Sequence, residues 1–326
     1  MMSASNIVPW HGKGEVVEEC NTVEDCMEKA GLGFTVSKRT LYVDGADDGE
    51  VVSVPTHWAT HRDDKPAGQS VLGIVKKDYE VLQNVDAFRA FNPFKESGEI
   101  TFETAGVLDE GRQVWILARF KEEVAIIADD IVRQYMLIAN GHDGVNSVLT
   151  GFCSGRVVCW NTLTAALQEH SNWVKIPHRK NVGIAVERAG EMLKEAREYF
   201  KATTEVFQAM TRVKMNDAKA EAFIRSVYDR PACAGPVWQA QPKLMRLWET
   251  GTGMDLQGVR GTLWAAYNAV TEYEDHVKAL REDTCRFKRS WMTDGARVKG
   301  RAFGTAQAIL TGDLKLEDMA ALNYTN

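Results

Sequence analysis

Several stretches of this chain carry side chains whose chemistry could serve a site. The segment Asn140-Gly141-His142-Asp143-Gly144-Val145-Asn146-Ser147 sets an imidazole beside a carboxylate in a polar, glycine-bearing loop between apolar runs. Binding and acid–base residues collect in such loops. Adjacent side chains seldom converge on one atom, however, and Asn, Asp and Gly equally favour a plain turn. Arg156-Val157-Val158-Cys159-Trp160-Asn161-Thr162-Leu163 reads as strand running into a helix that extends through Gln168. There Arg156 can fork two hydrogen bonds to a phosphate, and helix N–H groups beyond Thr162 favour an anion. A helix N-terminus would also lower the thiol pKa of Cys159, but no patterned His supplies a base; a structural Cys beside a capping Asn or Thr fits equally. His57 and His61 fall on an expected strand, where four residues span ~13 Å, too far for one ion.

Cations beside aromatic rings form another set. Lys76-Lys77 precede Tyr79, Arg112 precedes Trp115, Lys175 follows Trp173, and Arg286-Phe287-Lys288-Arg289 precede Trp291. Such groups suit backbone contact with base stacking, although Lys and Arg stems also routinely cover apolar surface. Lys76, Lys77, Arg112, Arg156, Arg179 and Lys180 are the expected nucleic-acid contacts. No Walker A, G-x-G-x-x-G, nucleophile-elbow or H-E-x-x-H pattern occurs, so no catalytic residue, metal ligand or cofactor is assigned.

The elements that position these residues divide the chain into a strand-rich first half and a helix-rich second half. Thr22 suits the N-cap of a helix over Val23–Ala30 with Gly31 as its stop. Strands are expected at Phe34–Val43 and Val51–Thr60 around a turn at Asp44–Gly49, and at Val71–Val75, continuing toward Val81. Asn84 suits a cap for a helix ended by Pro93. Ile100–Val107 and Gln113–Phe120 flank the hairpin turn Asp109-Glu110-Gly111. Val124–Asp129, Tyr135–Ala139, Val148–Cys153 and Arg156–Cys159 read as short strands, the last two around a Ser154-Gly155 turn. After Pro177 the spacing predicts helices over Asn181–Met210, Asp217–Tyr228, Val237–Trp248, Val259–Leu280 and Ala296–Leu310. The expected fold class is α+β: an antiparallel, β-β-β-α-like core in residues 1–178, with residues 179–326 as a helical domain or a helical cover of the same fold.

At 326 residues, 44% hydrophobic and 26% charged, the composition is that of an ordinary globular protein. No apolar run approaches the ~20 residues of a membrane span, and no secretory signal is visible. Six scattered cysteines without a C-x-x-C pair point to reduced thiols and a cytoplasmic location. The net charge of −6 excludes a protein that coats nucleic acid over its whole surface. It is unevenly spread: Met1–Thr60 holds ten acidic and four basic residues, Lys175–Lys214 nine basic and five acidic, and Arg281–Arg301 seven basic and three acidic. The competing reading of each run is a solvated helix face.

A resemblance adds context. Trp10-His11-Gly12, Gly73-Ile74-Val75 with Tyr79–Asn84, Glu103-Thr104-Ala105-Gly106, Asn140 with His142-Asp143-Gly144, Arg156–Leu163, and Gly261-Thr262-Leu263-Trp264 with Asn268–Tyr273 and His276 together resemble a phage/plasmid-like family, domain of unknown function 932. The likeness covers about residues 8–310. It implies a gene of a phage, prophage or plasmid, and no chemistry. A weaker architectural similarity is to the Rad52-like single-strand annealing proteins, through the β-β-β-α order alone; no functional residue carries over from them.

The leading expectation is therefore a non-enzymatic single-stranded nucleic-acid-binding or annealing protein acting as a homo-oligomer on single-stranded DNA. The alternatives are a protein-binding factor that engages a host or phage protein, such as a defence inhibitor or assembly scaffold, and a hydrolase using the His142/Asp143 loop with Cys159.

Overall fold

The computed structural model describes residues 14–158, 161–163, 173–184, 196–228, 238–280, 286, 289–290 and 293–315, with backbone alone at 67, 161–163, 173, 196 and 197. The fold is α+β, with antiparallel sheets in the N-terminal half and helices in the C-terminal half.

The chain opens with a short strand, β1 (Glu15–Val16), and helix α1 (Val23–Lys29). Thr22 closes a capping box: its side chain accepts from the Asp25 N–H, and the Asp25 carboxylate accepts from the Thr22 N–H at 3.1 Å. A three-stranded sheet follows, of β2 (Val36–Asp44), β3 (Val51–Arg62) and β4 (Val71–Lys76), paired in sequence order. β4 ends at Lys76, short of Val81. Helix α2 (Asn84–Phe88) completes the β-β-β-α order. Asn84 does not cap it; its side chain instead donates to the Leu32 carbonyl at 2.9 Å. Pro93 does not end the helical run, because it occupies the first turn of α3 (Asn92–Glu96), where its missing N–H has no partner to lose.

The larger sheet runs β1, β5 (Ile100–Leu108), β6 (Gln113–Ile127), β7 (Asp130–Gly141) and β8 (Val148–Arg156). Both β9 (Asn161–Leu163) and β10 (Trp173–Ile176) pair with β8. Two sequence expectations fail here. Ser154 and Gly155 form no turn: every residue of β8 is buried and pairs onward to Arg156. Asn161–Leu163 is a strand rather than a helix start, since its backbone groups join the edge of β8; the rest of the expected helix, through Gln168, lies outside the described residues.

Helices α4 (Ala196–Arg212), α5 (Asp217–Val227), α6 (Gln241–Thr250), α7 (Leu263–Glu272) and α8 (Asp294–Thr311) form the second half. Their core holds Phe207, Phe223, Trp264, Tyr267 and Phe303 and takes in Ile126 and Val132 from the large sheet. Phe200 of α4 joins the opposite cluster, among Phe102, Phe120 and Phe152. The helices thus pack directly on the strands, which is why β8 reads as a continuous buried run instead of an alternating one. The described cysteines Cys20, Cys26 and Cys153 are buried free thiols, and no described helix is long and apolar enough to cross a membrane.

Candidate nucleic-acid interface

Two cation doublets separated by a hundred residues meet in space. β4 delivers Lys76 and Lys77 at its C-terminal end; Pro177 ends β10 and the chain turns through Arg179 and Lys180. The Glu80 N–H donates to the His178 carbonyl at 3.0 Å, and the His178 Nδ1–H donates back to the Glu80 carbonyl at 3.1 Å. The His178 ring also stacks on Tyr79, with centroids 4.8 Å apart. Lys38 of β2 fastens the other side, donating to the carbonyls of Lys77 at 3.1 Å and Tyr79 at 2.7 Å. These bonds use backbone groups and the flanking His and Tyr, so all four cations of the doublets stay exposed.

The depression they border is also lined by Pro55, Thr56 and His57 of β3, and by Asp78 and Glu80. Its shape comes from an irregularity in the β2–β3 ladder. Thr40 pairs with Trp58 and Tyr42 pairs with Ser53, so four residues of β3, Val54 to His57, face Leu41 alone. Pro55 lies inside this bulge and has no N–H to give the ladder. The furrow continues past Tyr79 and His178 to the loop Gly144–Ser147, and from there to Lys175, through depressions that share His57, Lys76 and Arg179 at one end and Asn146 and Ser147 at the other. Five cations, Lys76, Lys77, Lys175, Arg179 and Lys180, stand along it against the two carboxylates Asp78 and Glu80.

The remaining expected contacts fare differently. Arg112 is exposed on the β5–β6 hairpin, beside Gln113 at the Lys175 end. Arg156 is a correction. It is wholly buried, paired through two 2.7 Å bonds to Asp130, itself wholly buried, and it also donates to the carbonyls of Thr252 at 2.9 Å and Gly253 at 3.2 Å. Trp264 adds a 2.7 Å bond from its Nε1–H to Asp130. Every direction in which the guanidinium could fork to a phosphate is occupied, so it locks β7 and β8 to the helical half. Two cations of the basic C-terminal run behave alike, Arg289 pairing with buried Glu274 and buried Lys299 holding Asp275 at 2.6 Å, whereas Arg297 and Arg301 are exposed. Phe287, Lys288 and Trp291 lie outside the described residues.

Base stacking loses two of its expected platforms. Tyr79 is buried and donates its hydroxyl to the Gly141 carbonyl at 3.0 Å. Trp115 is buried, and Gly14 and Gly106 pass so close to its ring that a Cβ at Gly14 would stand 2.7 Å from it.

The His142/Asp143 loop does not present acid–base chemistry. His142 is wholly buried, its Nε2–H donating to Asn84 Oδ1 at 2.8 Å. Burial holds its pKa down at about 3, with nearby His178 acting in the same direction. Asp143 is spent on its own loop, accepting from the N–H groups of Val145 and Asn146 and from the Asn146 side-chain amide at 2.6–2.9 Å. Cys159 lies outside the described residues. His57 and His61 lie in different surroundings: the first lines the furrow, the second is buried against Ser70.

Sequence reasoning missed Pro55, Thr56 and His57 as furrow residues. The available signal was the proline within a predicted strand, which marks a bulge.

The family model described as "Domain of unknown function (DUF932)" matches residues 71–291. That span runs from β4 through both cation doublets to the first residues after Arg289. Neither the curated proteins nor the solved structures contain a match.

Proposed function

The chain belongs to the DUF932 family, and on that premise we propose that it binds the phosphodiester backbone of single-stranded nucleic acid along the furrow, as a non-enzymatic binding or annealing protein of a phage or plasmid in the bacterial cytoplasm. One observation carries the reading: on a chain of net charge −6, four exposed cations from positions a hundred residues apart are brought to one concave strip by bonds that leave their charges unspent.

Affinity in this reading comes from counterion release. The buried state of Tyr79 and Trp115 leaves little ring surface for stacking, so sequence preference is weak and salt dependence strong. The contacts are Lys76, Lys77, Arg179 and Lys180, with Lys175 and Arg112 at the far end.

Fluorescence anisotropy with a labelled oligonucleotide tests it. Affinity should fall with salt at a log–log slope of roughly 0.7 per phosphate neutralised. The double variant Lys76→Glu/Lys77→Glu should lose most of the binding while keeping the wild-type unfolding midpoint. Absence of binding at low ionic strength, or unchanged binding in that variant, ends the reading.

A further inference from the structure

We propose that the distal arm of the β2–β3 hairpin docks into the basic furrow of a second copy of this chain. Beyond the bulge the arm comprises the pairs Tyr42–Ser53, Val43–Val52 and Asp44–Val51 and the turn that joins them. Both of its faces are open. Tyr42 is 62% exposed, Val43 54%, Val51 62% and Val52 44%, whereas the proximal residues Ala59, Thr60 and His61 of the same strand are buried. Two opposite faces of bare apolar side chains on one two-stranded ribbon mark a contact surface, because an isolated ribbon is marginal in water.

Charge identifies the occupant. From Thr40 to His61 the chain has no Lys or Arg, and the arm carries Asp44, Asp47, Asp48 and Glu50. The Glu50 carboxylate accepts from the N–H groups of Ala46 and Asp47 and so shapes the turn; the other three carboxylates are exposed at the end of the arm. The furrow offers Lys76, Lys77, Arg179 and Lys180, and its lining includes Pro55 and His57. An acidic, apolar ribbon and a basic, partly apolar furrow on one polypeptide are complementary. Arm and furrow are different patches, so assembly closes where two copies exchange arms about a two-fold axis and otherwise propagates into a ring or a chain.

The inference rests on the proposed polyanion site for one consequence only, that arm and oligonucleotide compete for the same cations. Two charge reversals test the docking. At low ionic strength the wild type should sediment as an associated species, and both Asp47→Lys/Asp48→Lys and Lys76→Glu/Lys77→Glu should sediment as monomers with unchanged unfolding midpoints. An equimolar mixture of the two variants should associate again, since each then meets an opposite charge. A monomeric wild type, an associated single variant or a mixture that stays monomeric overturns the proposal. Oligonucleotide anisotropy on Asp47→Lys/Asp48→Lys separates the two readings. Binding without charge-swap association sinks the docking alone, and charge-swap association without binding sinks the polyanion site alone.

Discussion

Arg156 ends one strand and Arg179 follows its neighbour in the same sheet, and their fates are opposite. At the end of β8, Arg156 is enclosed by Asp130, Trp264 and the carbonyls of Thr252 and Gly253. Past the end of β10, Arg179 projects from a turn whose bonds are supplied by its neighbours' backbone. Lys299 and Lys76 repeat the contrast, one wholly buried on Asp275 and the other exposed. A cation becomes a strut when helices cover its strand end and a partner carboxylate arrives from elsewhere. It remains a candidate contact when the strand end opens on a furrow. The molecule therefore divides its positive charge into an interior set, in which Arg156 ties sheet to helices and Lys299 ties one helical segment to another, and an exterior set free to meet anions.

The largest expected effect breaks the interior set. Arg156→Ala removes the cation from buried Asp130 and leaves it only the Trp264 bond, and should cost about 3–5 kcal/mol in urea denaturation. The salt slope of oligonucleotide binding by the folded fraction should not change. A variant of normal stability with weakened binding would return Arg156 to the exterior set.

Next comes the join between the two sheets. A Cβ at Gly73 would stand 2.3 Å from the Asp143 carbonyl oxygen, so Gly73→Ala should lower stability by about 1–3 kcal/mol. By unseating the loop at the furrow's midpoint it should also weaken binding, which no interior variant does.

The third effect is a pH dependence. The folded His142 imidazole, with its pKa at about 3, stays neutral where an unfolded one of ordinary pKa 6.5 takes a proton. Its contribution to stability is complete above pH 6.5 and is lost as pH falls toward 3, at about 1.4 kcal/mol per pH unit. Buried His178 is shifted in the same direction. Replacing His142 with Gln should flatten the stability profile over this window, and an unchanged profile would refute the buried, neutral assignment.

The smallest effect on stability belongs to the exterior set. Lys180→Ala should leave the unfolding midpoint within about 0.5 kcal/mol and reduce the salt slope of oligonucleotide binding by about 0.7.

Local chemistry made much of the fold legible. The Thr22 cap, the β2–β3 hairpin, the turn of the β5–β6 hairpin and the helices from Asp217 onward follow from capping residues, turn residues and periodicity, whereas the strands expected at Gln113–Phe120 and Val124–Asp129 are one strand, β6, running to Ile127. The continuity of β8 and the strand at Asn161–Leu163 were hidden, because Ser154 and Gly155 invite a turn unless neighbouring strands claim their backbone on both sides. At the site, the Lys76-Lys77 and Arg179-Lys180 doublets were visible as charge beside strand ends. Their meeting was not, since it depends on the Glu80–His178 bonds across a hundred residues. Arg156, Tyr79 and Trp115 were misread for one reason: pairing a charge or burying a ring is decided by residues distant in sequence, and local spacing carries no trace of them.

The seat of the 143–144 loop on β4 has a mechanical corollary. Thr60 donates to the His142 carbonyl at 2.6 Å, and Gly73 lies directly under Asp143, so the near end of the small sheet can open only by lifting a loop rooted in the large one. Amide hydrogens there should exchange as slowly as those of the central ladder, while those of Val43 and Val52, past the bulge, exchange quickly. The small sheet is therefore stiff at the end seated beside the furrow and compliant in the arm beyond the bulge.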